Sequence, residues 1–177
     1  MSSQLAHPLV RACSLAAALA LASCTADTSR DSLTPTSPAP SAANAPWPFR
    51  GTVELIRISV TPLGPAKVLS HSEGTGTATH LGRYSIVAET TIDFAARTST
   101  AQRILTAANG DALFVTVTAQ ATPNADGVTF NVVESATITG GTGRFAGATG
   151  TYTANCVSNQ VTGTSTGTFE GTITLDH

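Results

Sequence analysis

Residues 104–120, ILTAANGDALFVTVTAQ, show the pattern that decides the fold of this chain. After Asp111, two sets of side chains alternate, and a two-residue period places each set on one face of a β-strand. One set is Leu113, Val115, Val117 and Ala119, and the other is Phe114, Thr116, Thr118 and Gln120. Asn109-Gly110 precedes this run and suits a type I′ hairpin turn, which needs positive φ at both central residues. The stretch therefore predicts two antiparallel strands joined by a tight turn.

The same rhythm, rich in Thr and Val, recurs from Trp47 to the end of the chain with turn residues between the runs. It predicts eight strands, near residues 50–60, 68–79, 83–94, 98–108, 111–121, 127–139, 148–157 and 165–175. A sandwich and a closed barrel are both open to such a chain. Short local connections favour an all-β, up-and-down antiparallel barrel of the calycin-like kind, because closure leaves no exposed edge. The interior of such a barrel is filled by side chains or holds one small ligand.

Composition limits the classes of partner. Charged residues make up 11% of the chain, against a typical quarter, and the formal net charge is −2 at pH 7. Nucleic-acid binding requires a basic face, so we expect no nucleic-acid partner. Cys156 is the one cysteine within the predicted strands, which leaves no intradomain disulfide. We expect Cys156 to be a small buried residue.

The N-terminus is typical of an exported protein. Residues 14–22, SLAAALALA, form an apolar run that is too short for a bilayer span of about 20 residues and suits an export signal. The run ends in Leu21-Ala22-Ser23-Cys24, which resembles the lipobox of bacterial lipoproteins. That resemblance implies cleavage before Cys24 and lipidation of Cys24. The remaining alternative is an ordinary secretory signal cut near Ala22.

The resemblance also implies a cellular location and a division of the chain into segments. Thr25 stands where the inner-membrane retention signal of lipoproteins has Asp, which implies the outer membrane or the cell surface. We interpret residues 1–23 as the signal peptide and residues 24–46, rich in Ser, Thr, Pro and Ala, as a disordered tether. Residues 47–177 then form the β-barrel domain, which is of ordinary domain size.

A glycine-rich stretch lies between the sixth and seventh predicted strands. Residues 138–150 read ITGGTGRFAGATG, and we expect Phe145 to tuck under the end of the barrel. Its structural turn glycines are Gly140, Gly141, Gly143, Gly147 and Gly150. The stretch resembles the glycine-rich turn of allene oxide cyclase and dirigent barrels, and residues 76–83 and 107–111 resemble bacterial secreted proteins with allene-oxide-cyclase-like barrels. The resemblance implies a barrel over residues 50–175 and, for activity, a cyclase or isomerase that acts on an apolar substrate in the cavity.

Four polar side chains are candidates for the barrel cavity. Glu134 interrupts an otherwise apolar strand face, and a core-facing carboxylate must be paired, protonated or functional. Arg103 lies on an inward face of the fourth strand and is a candidate ion partner for Glu134. Glu54 matches the position of a first-strand Glu in allene oxide cyclase, and the hydroxyl of Tyr152 could line the cavity. For each of these residues, packing or a satisfied interior polar group is the alternative to a functional role.

Other chemistry is poorly supported by the sequence. His71 and Glu73 share a strand face, but the histidines do not cluster as they do in cupins, so we expect no metal site and no cofactor. No GxSxG elbow places a serine for nucleophilic catalysis. We therefore expect a lipid-anchored envelope protein whose barrel binds an apolar small molecule or an envelope partner. The alternatives are a cyclase or isomerase in the cavity, and a structural or homo-oligomerising surface module.

Overall fold

A computed structural model describes residues 45–176 of the chain. The predicted signal peptide, Cys24 and nearly all of the predicted tether lie outside the described residues. Within the described part, no helix is long and apolar enough to cross a membrane. The structure consists almost entirely of β-strands, as the alternation predicts.

Eight antiparallel strands follow one another along the chain. They are β1 (Trp47–Gly64), β2 (Lys67–Ala78), β3 (Gly82–Asp93), β4 (Thr98–Ala107), β5 (Ala112–Pro123), β6 (Thr129–Gly141), β7 (Thr149–Asn159) and β8 (Thr164–Thr174). Each strand pairs with the next, and β1 also pairs with β8, from Trp47↔Ile173 to Ile56↔Thr164. The sheet therefore closes into an up-and-down barrel, and the predicted fold class is confirmed.

The meander gives the barrel two different ends. The β1–β2, β3–β4, β5–β6 and β7–β8 turns lie at one end, which we call the mouth. The other three connections, together with the start of β1 and the end of β8, lie at the opposite end, which we call the base. The chain therefore enters and leaves the barrel at its base.

The base half of the barrel is packed with apolar side chains. Phe49, Tyr152 and Phe169 form an aromatic cluster with ring centroids 4.8–5.7 Å apart. Aromatic rings at such separations bury large areas and gain from tilted contacts. Leu113 and Ile173 are fully buried beside them in the same core.

The glycine-rich connection between β6 and β7 closes the base. Gly143–Phe145 form a single 3-10 turn, and Phe145 is fully buried, as predicted. Gly143 has φ +56°, in the left-handed region that favours glycine. A Cβ on Gly141 would lie 2.3 Å from the carbonyl oxygen of Ala112, so only glycine fits this close approach.

Strand β1 is longer than predicted. The sequence prediction ends the first strand near residue 60 because Pro62 and Gly64 follow, whereas β1 continues to Gly64. Pairing with β8 stops at Ile56, so the last part of β1 has a neighbour on the β2 side only. Proline lacks a backbone N–H and is tolerated on such an edge.

Candidate functional site

A hollow cup occupies the mouth half of the barrel. Its volume is about 520 Å³, within the range of roughly 300–1,000 Å³ that is usual for small-molecule pockets. Inward-facing residues from the strands and turns at the mouth line it. The inward-facing side chains of the base half are thus large and apolar, and space is left above them in the mouth half.

The floor of the cup is an ion pair between Arg103 on β4 and Glu134 on β6. Nη1 and Nη2 of Arg103 donate to Oε2 and Oε1 of Glu134 at 2.7 and 2.6 Å. The two side chains are only 7% and 8% exposed. Parallel hydrogen bonds of this kind fix the orientation of the two partners.

Burial and the carboxylate act in opposite directions on Arg103. Burial alone lowers the pKa of the guanidinium, but the charge and hydrogen bonds of Glu134 outweigh it and raise the pKa above its usual value. The Nε–H of Arg103 is buried and has no acceptor among the described residues. Arg103 is therefore charged at any ordinary pH, and one of its donors is unsatisfied.

Two further titratable groups close to the pair stay neutral. Burial raises the pKa of the Tyr152 phenol and of the Cys156 thiol, each to about 12. Cys156 is a buried free cysteine, as the sequence predicts. A thiol with such a pKa is a poor nucleophile at neutral pH, so Cys156 serves as a packing residue.

The wall of the cup combines apolar side chains with hydroxyl groups. The apolar part includes Leu55, Ile92, Phe94, Phe130 and Val132. The hydroxyl part includes Ser70, Ser72, Thr90, Ser99, Ser158 and Ser165. An apolar surface with a few placed polar groups is the usual composition of a ligand pocket.

The structure separates the four predicted cavity residues. Arg103 and Glu134 line the cup and pair with each other. Tyr152 lies on the base side and packs against Phe49 and Phe169, so it belongs to the core and does not line the cup.

The cavity assignment of Glu54 is wrong. Glu54 is exposed and lines a shallow hollow on the outside of the barrel. The inward-facing residues of this part of β1 are Val53 and Leu55, whereas Ile56 is 50% exposed on the same outer face as Glu54. Apolar residues occur on both faces here, and the prediction chose the wrong one.

Two arginines of the cup were missed by sequence reasoning. Arg57 on β1 and Arg97 in the β3–β4 turn both line the cavity near the mouth. A single arginine within a strand or in a turn is ordinary in sequence, so only the closed barrel, which brings β1 and the β3–β4 turn to one cavity, reveals the pair.

His71 and Glu73 share the outer face of β2, with Glu89 of β3 as a third member. His71 Nδ1 lies 2.5 Å from a Glu89 oxygen and Nε2 lies 3.3 Å from a Glu73 oxygen. Among residues 45–176, no group of three or more His, Cys, Asp or Glu side chains has a geometry that could hold a metal ion. The contacts of this cluster are therefore those of an ion-paired histidine.

A hollow larger than the cup lies outside the barrel. It measures about 1050 Å³ and is lined mainly by outward-facing residues such as Thr116, Thr118 and Thr137. This surface is more open to solvent than the cup. A ligand would bury less of its surface there, so the cup is the stronger candidate site.

Comparison of the chain with known protein families, curated proteins and solved structures finds no match.

Proposed function

We propose that this protein is an exported, lipid-anchored envelope protein whose barrel holds a small apolar molecule in the cup at its mouth. The observation that carries the proposal is the unequal filling of the barrel. Large side chains pack the base half completely, while the mouth half leaves a cavity of about 520 Å³ with an apolar wall. A barrel with a purely structural role has no need for such a space.

The residues that line the cup favour a ligand with both apolar surface and polar groups. Leu55, Ile92 and Phe130 offer apolar surface, and burial of such surface contributes about 25 cal/mol per Å². The hydroxyl groups and the ion pair at the floor add polar groups at fixed positions. Together they favour one compact molecule over a macromolecular segment.

The position of the chain ends is compatible with a lipid anchor. Trp47 begins β1 at the base, opposite the mouth. A tether from a lipidated Cys24 would therefore join the barrel at the end away from the cup. An outer-membrane or surface location, as Thr25 implies, would leave the mouth open to solvent.

Binding is better supported than the isomerase alternative suggested by the allene oxide cyclase resemblance. Glu54 lies outside the barrel, and both carboxylate oxygens of Glu134 accept hydrogen bonds from Arg103. A general acid or base needs a proton that it can exchange with a substrate. We therefore propose that Glu134 positions Arg103 and shapes the floor of the cup.

The experiment uses neighbouring threonines on opposite faces of β3. Thr90 lines the cup, and Thr91 lines the outer hollow. The neutral fluorescent probe N-phenyl-1-naphthylamine is titrated into the full chain carrying Cys24→Ser, so that no acyl chain competes for the probe. Thr90→Phe fills the cavity and is expected to weaken binding about tenfold or more, a loss of about 1.4 kcal/mol.

Thr91→Phe is the matched control, because it adds the same ring on the outside of the same strand. It is expected to leave the affinity within about twofold of the parent protein, a difference of about 0.4 kcal/mol. Near-ultraviolet circular dichroism checks that both variants keep their packing. Equal effects of the two substitutions, or no binding by the parent chain, would refute the cup as the binding site.

A further inference from the structure

The charges that line the cup do not balance. Five ionisable side chains contribute to its wall and floor, and these are Arg57, Asp93, Arg97, Arg103 and Glu134. Both carboxylates already have a basic partner, since Glu134 pairs with Arg103 at 2.6 Å and Asp93 pairs with Lys67 at 3.3 Å. Among the described residues, no carboxylate lies within 4.0 Å of the guanidinium of Arg57 or Arg97. Two cationic groups at the mouth are therefore unneutralised.

The backbone of Arg97 is unusual for an arginine. Its φ is +57°, in the left-handed region, which is unfavourable for a residue with a side chain. Its carbonyl oxygen accepts a hydrogen bond from Ala121 N at 2.9 Å, which holds this conformation. Glycine or asparagine would occupy the position at lower cost. The side chain of Arg97, which lines the cup, gives a reason for an arginine here.

Arg57 is oriented by a neutral partner. Its Nη2 donates to Oε1 of Gln160, in the β7–β8 turn, at 2.9 Å. The amide oxygen holds the guanidinium without cancelling its charge. Since a guanidinium has five N–H donors in a fixed fork, the remaining ones are available to a further acceptor.

We propose that the ligand of the cup is an amphipathic anion. Its apolar body packs against Leu55, Ile92 and Phe130, and its single carboxylate, sulfonate or phosphate group lies on the side of the mouth that Arg57 and Arg97 make cationic. Guanidinium groups bind such anions through charge-assisted hydrogen bonds. A concave site with low-dielectric walls also concentrates the field of its charges. This inference rests on the proposed function and names the ligand class of the same site.

The test compares two probes that share one apolar body. N-phenyl-1-naphthylamine is neutral, and 1-anilinonaphthalene-8-sulfonate is the same ring system with a sulfonate. Both are titrated into the full chain with Cys24→Ser and into that chain with Arg57→Gln and Arg97→Gln added. The double substitution is expected to weaken binding of the sulfonate about tenfold or more, while the affinity for the neutral probe changes less than about twofold.

Arg50→Gln is the matched control, because Arg50 is exposed on the outer face of β1 near the base. It is expected to leave both affinities unchanged. Added NaCl is expected to weaken binding of the sulfonate and to leave the neutral probe unaffected, since salt screens exposed charges. Arg97→Gly supplies a second variant that relieves the left-handed backbone, so a loss of sulfonate binding there does not arise from unfolding.

The outcomes separate the two proposals. If the parent chain binds neither probe, the proposed function fails and this inference fails with it. If the neutral probe binds in the cup and the arginine substitutions leave the affinity for the sulfonate unchanged, the anion assignment alone is overturned. Selective loss of the sulfonate supports both proposals.

Discussion

Arg103 and Glu134 lie on β4 and β6, with β5 between them, and join through two hydrogen bonds of 2.7 and 2.6 Å inside the barrel. The pair marks the boundary between the packed base and the hollow mouth. It fixes the height of the floor of the cup and links two strands that are not neighbours in the sheet. In a buried pair of this kind, the contributions of the two residues to the free energy of unfolding depend on each other.

Loss of one partner of this pair is expected to be far more damaging than loss of both. Arg103→Met leaves the carboxylate of Glu134 buried and uncompensated, which is expected to lower the free energy of unfolding by about 3–5 kcal/mol. Combining Arg103→Met with Glu134→Leu replaces the pair by apolar side chains and is expected to recover most of that loss. Urea denaturation of the parent, the two single variants and the double variant measures the coupling. A double variant no more stable than Arg103→Met would show that the pair does not act as a unit.

The close approach at Gly141 predicts a second large effect. In Gly141→Ala, the new methyl group meets the carbonyl of Ala112, which belongs to the neighbouring strand and has little freedom to move. We expect the free energy of unfolding to fall by about 1–3 kcal/mol, as for other overpacked sites. Ala146→Ser, at an exposed position of the same connection, is the control and is expected to stay within about 0.5 kcal/mol of the parent. Denaturant midpoints that do not differ between the two variants would contradict the close approach.

His71 predicts a pH dependence of stability. Two hydrogen bonds raise the pKa of His71 above its ordinary value of 6.5, the one to Glu89 more than the one to Glu73. A raised folded-state pKa contributes stability that is fully present below the unfolded-state pKa and is lost as pH rises through the folded-state pKa. The melting temperature of the parent minus that of His71→Asn is therefore expected to be larger at about pH 5.5 than at about pH 9. A difference that is constant or larger at alkaline pH would contradict the two contacts.

The N-terminal prediction is tested on the mature protein. If Leu21–Cys24 acts as a lipobox, the chain purified from a bacterial envelope begins at Cys24 and carries the mass of its acyl chains. Cys24→Ala is expected to abolish that mass increase and to shift the protein out of the membrane fraction, because several acyl chains are needed for durable anchoring. Intact-mass spectrometry of both proteins checks this. An unmodified N-terminus near Ala22 in the parent would identify an ordinary secretory signal.

Much of the fold could be predicted because each strand shows its own two-residue alternation of apolar side chains. The inner faces of β5 and β6 follow from alternation alone, with Val115, Val117, Ala136 and Ile138 buried in the structure. Glu134 stands out in sequence as a charge on one of these apolar faces, which is why its pairing with Arg103 could be anticipated. A two-residue period leaves little choice of face once one position is assigned.

The sequence was less informative where its pattern was ambiguous or the neighbours decided the outcome. Around Glu54, apolar residues occupy both faces, so alternation does not say which side is inner. The continuation of β1 through Pro62 depends on pairing with β2 at a level where β8 has not yet begun, which no local pattern encodes. The positions of Arg57 and Arg97 in one cavity depend on closure of the barrel, which brings distant segments of the chain together.

Methyl NMR with N-phenyl-1-naphthylamine locates the bound molecule relative to the inside of the barrel at its mouth. Leu55 and Val132 line the cup, whereas their neighbours Ile56 and Val133 are 50% and 51% exposed on the outer face. We expect intermolecular nuclear Overhauser contacts from the probe to the methyl groups of Leu55 and Val132 and none to those of Ile56 and Val133, if the probe occupies the cup. Contacts to the outer pair alone, or no contacts at saturating probe, would contradict it.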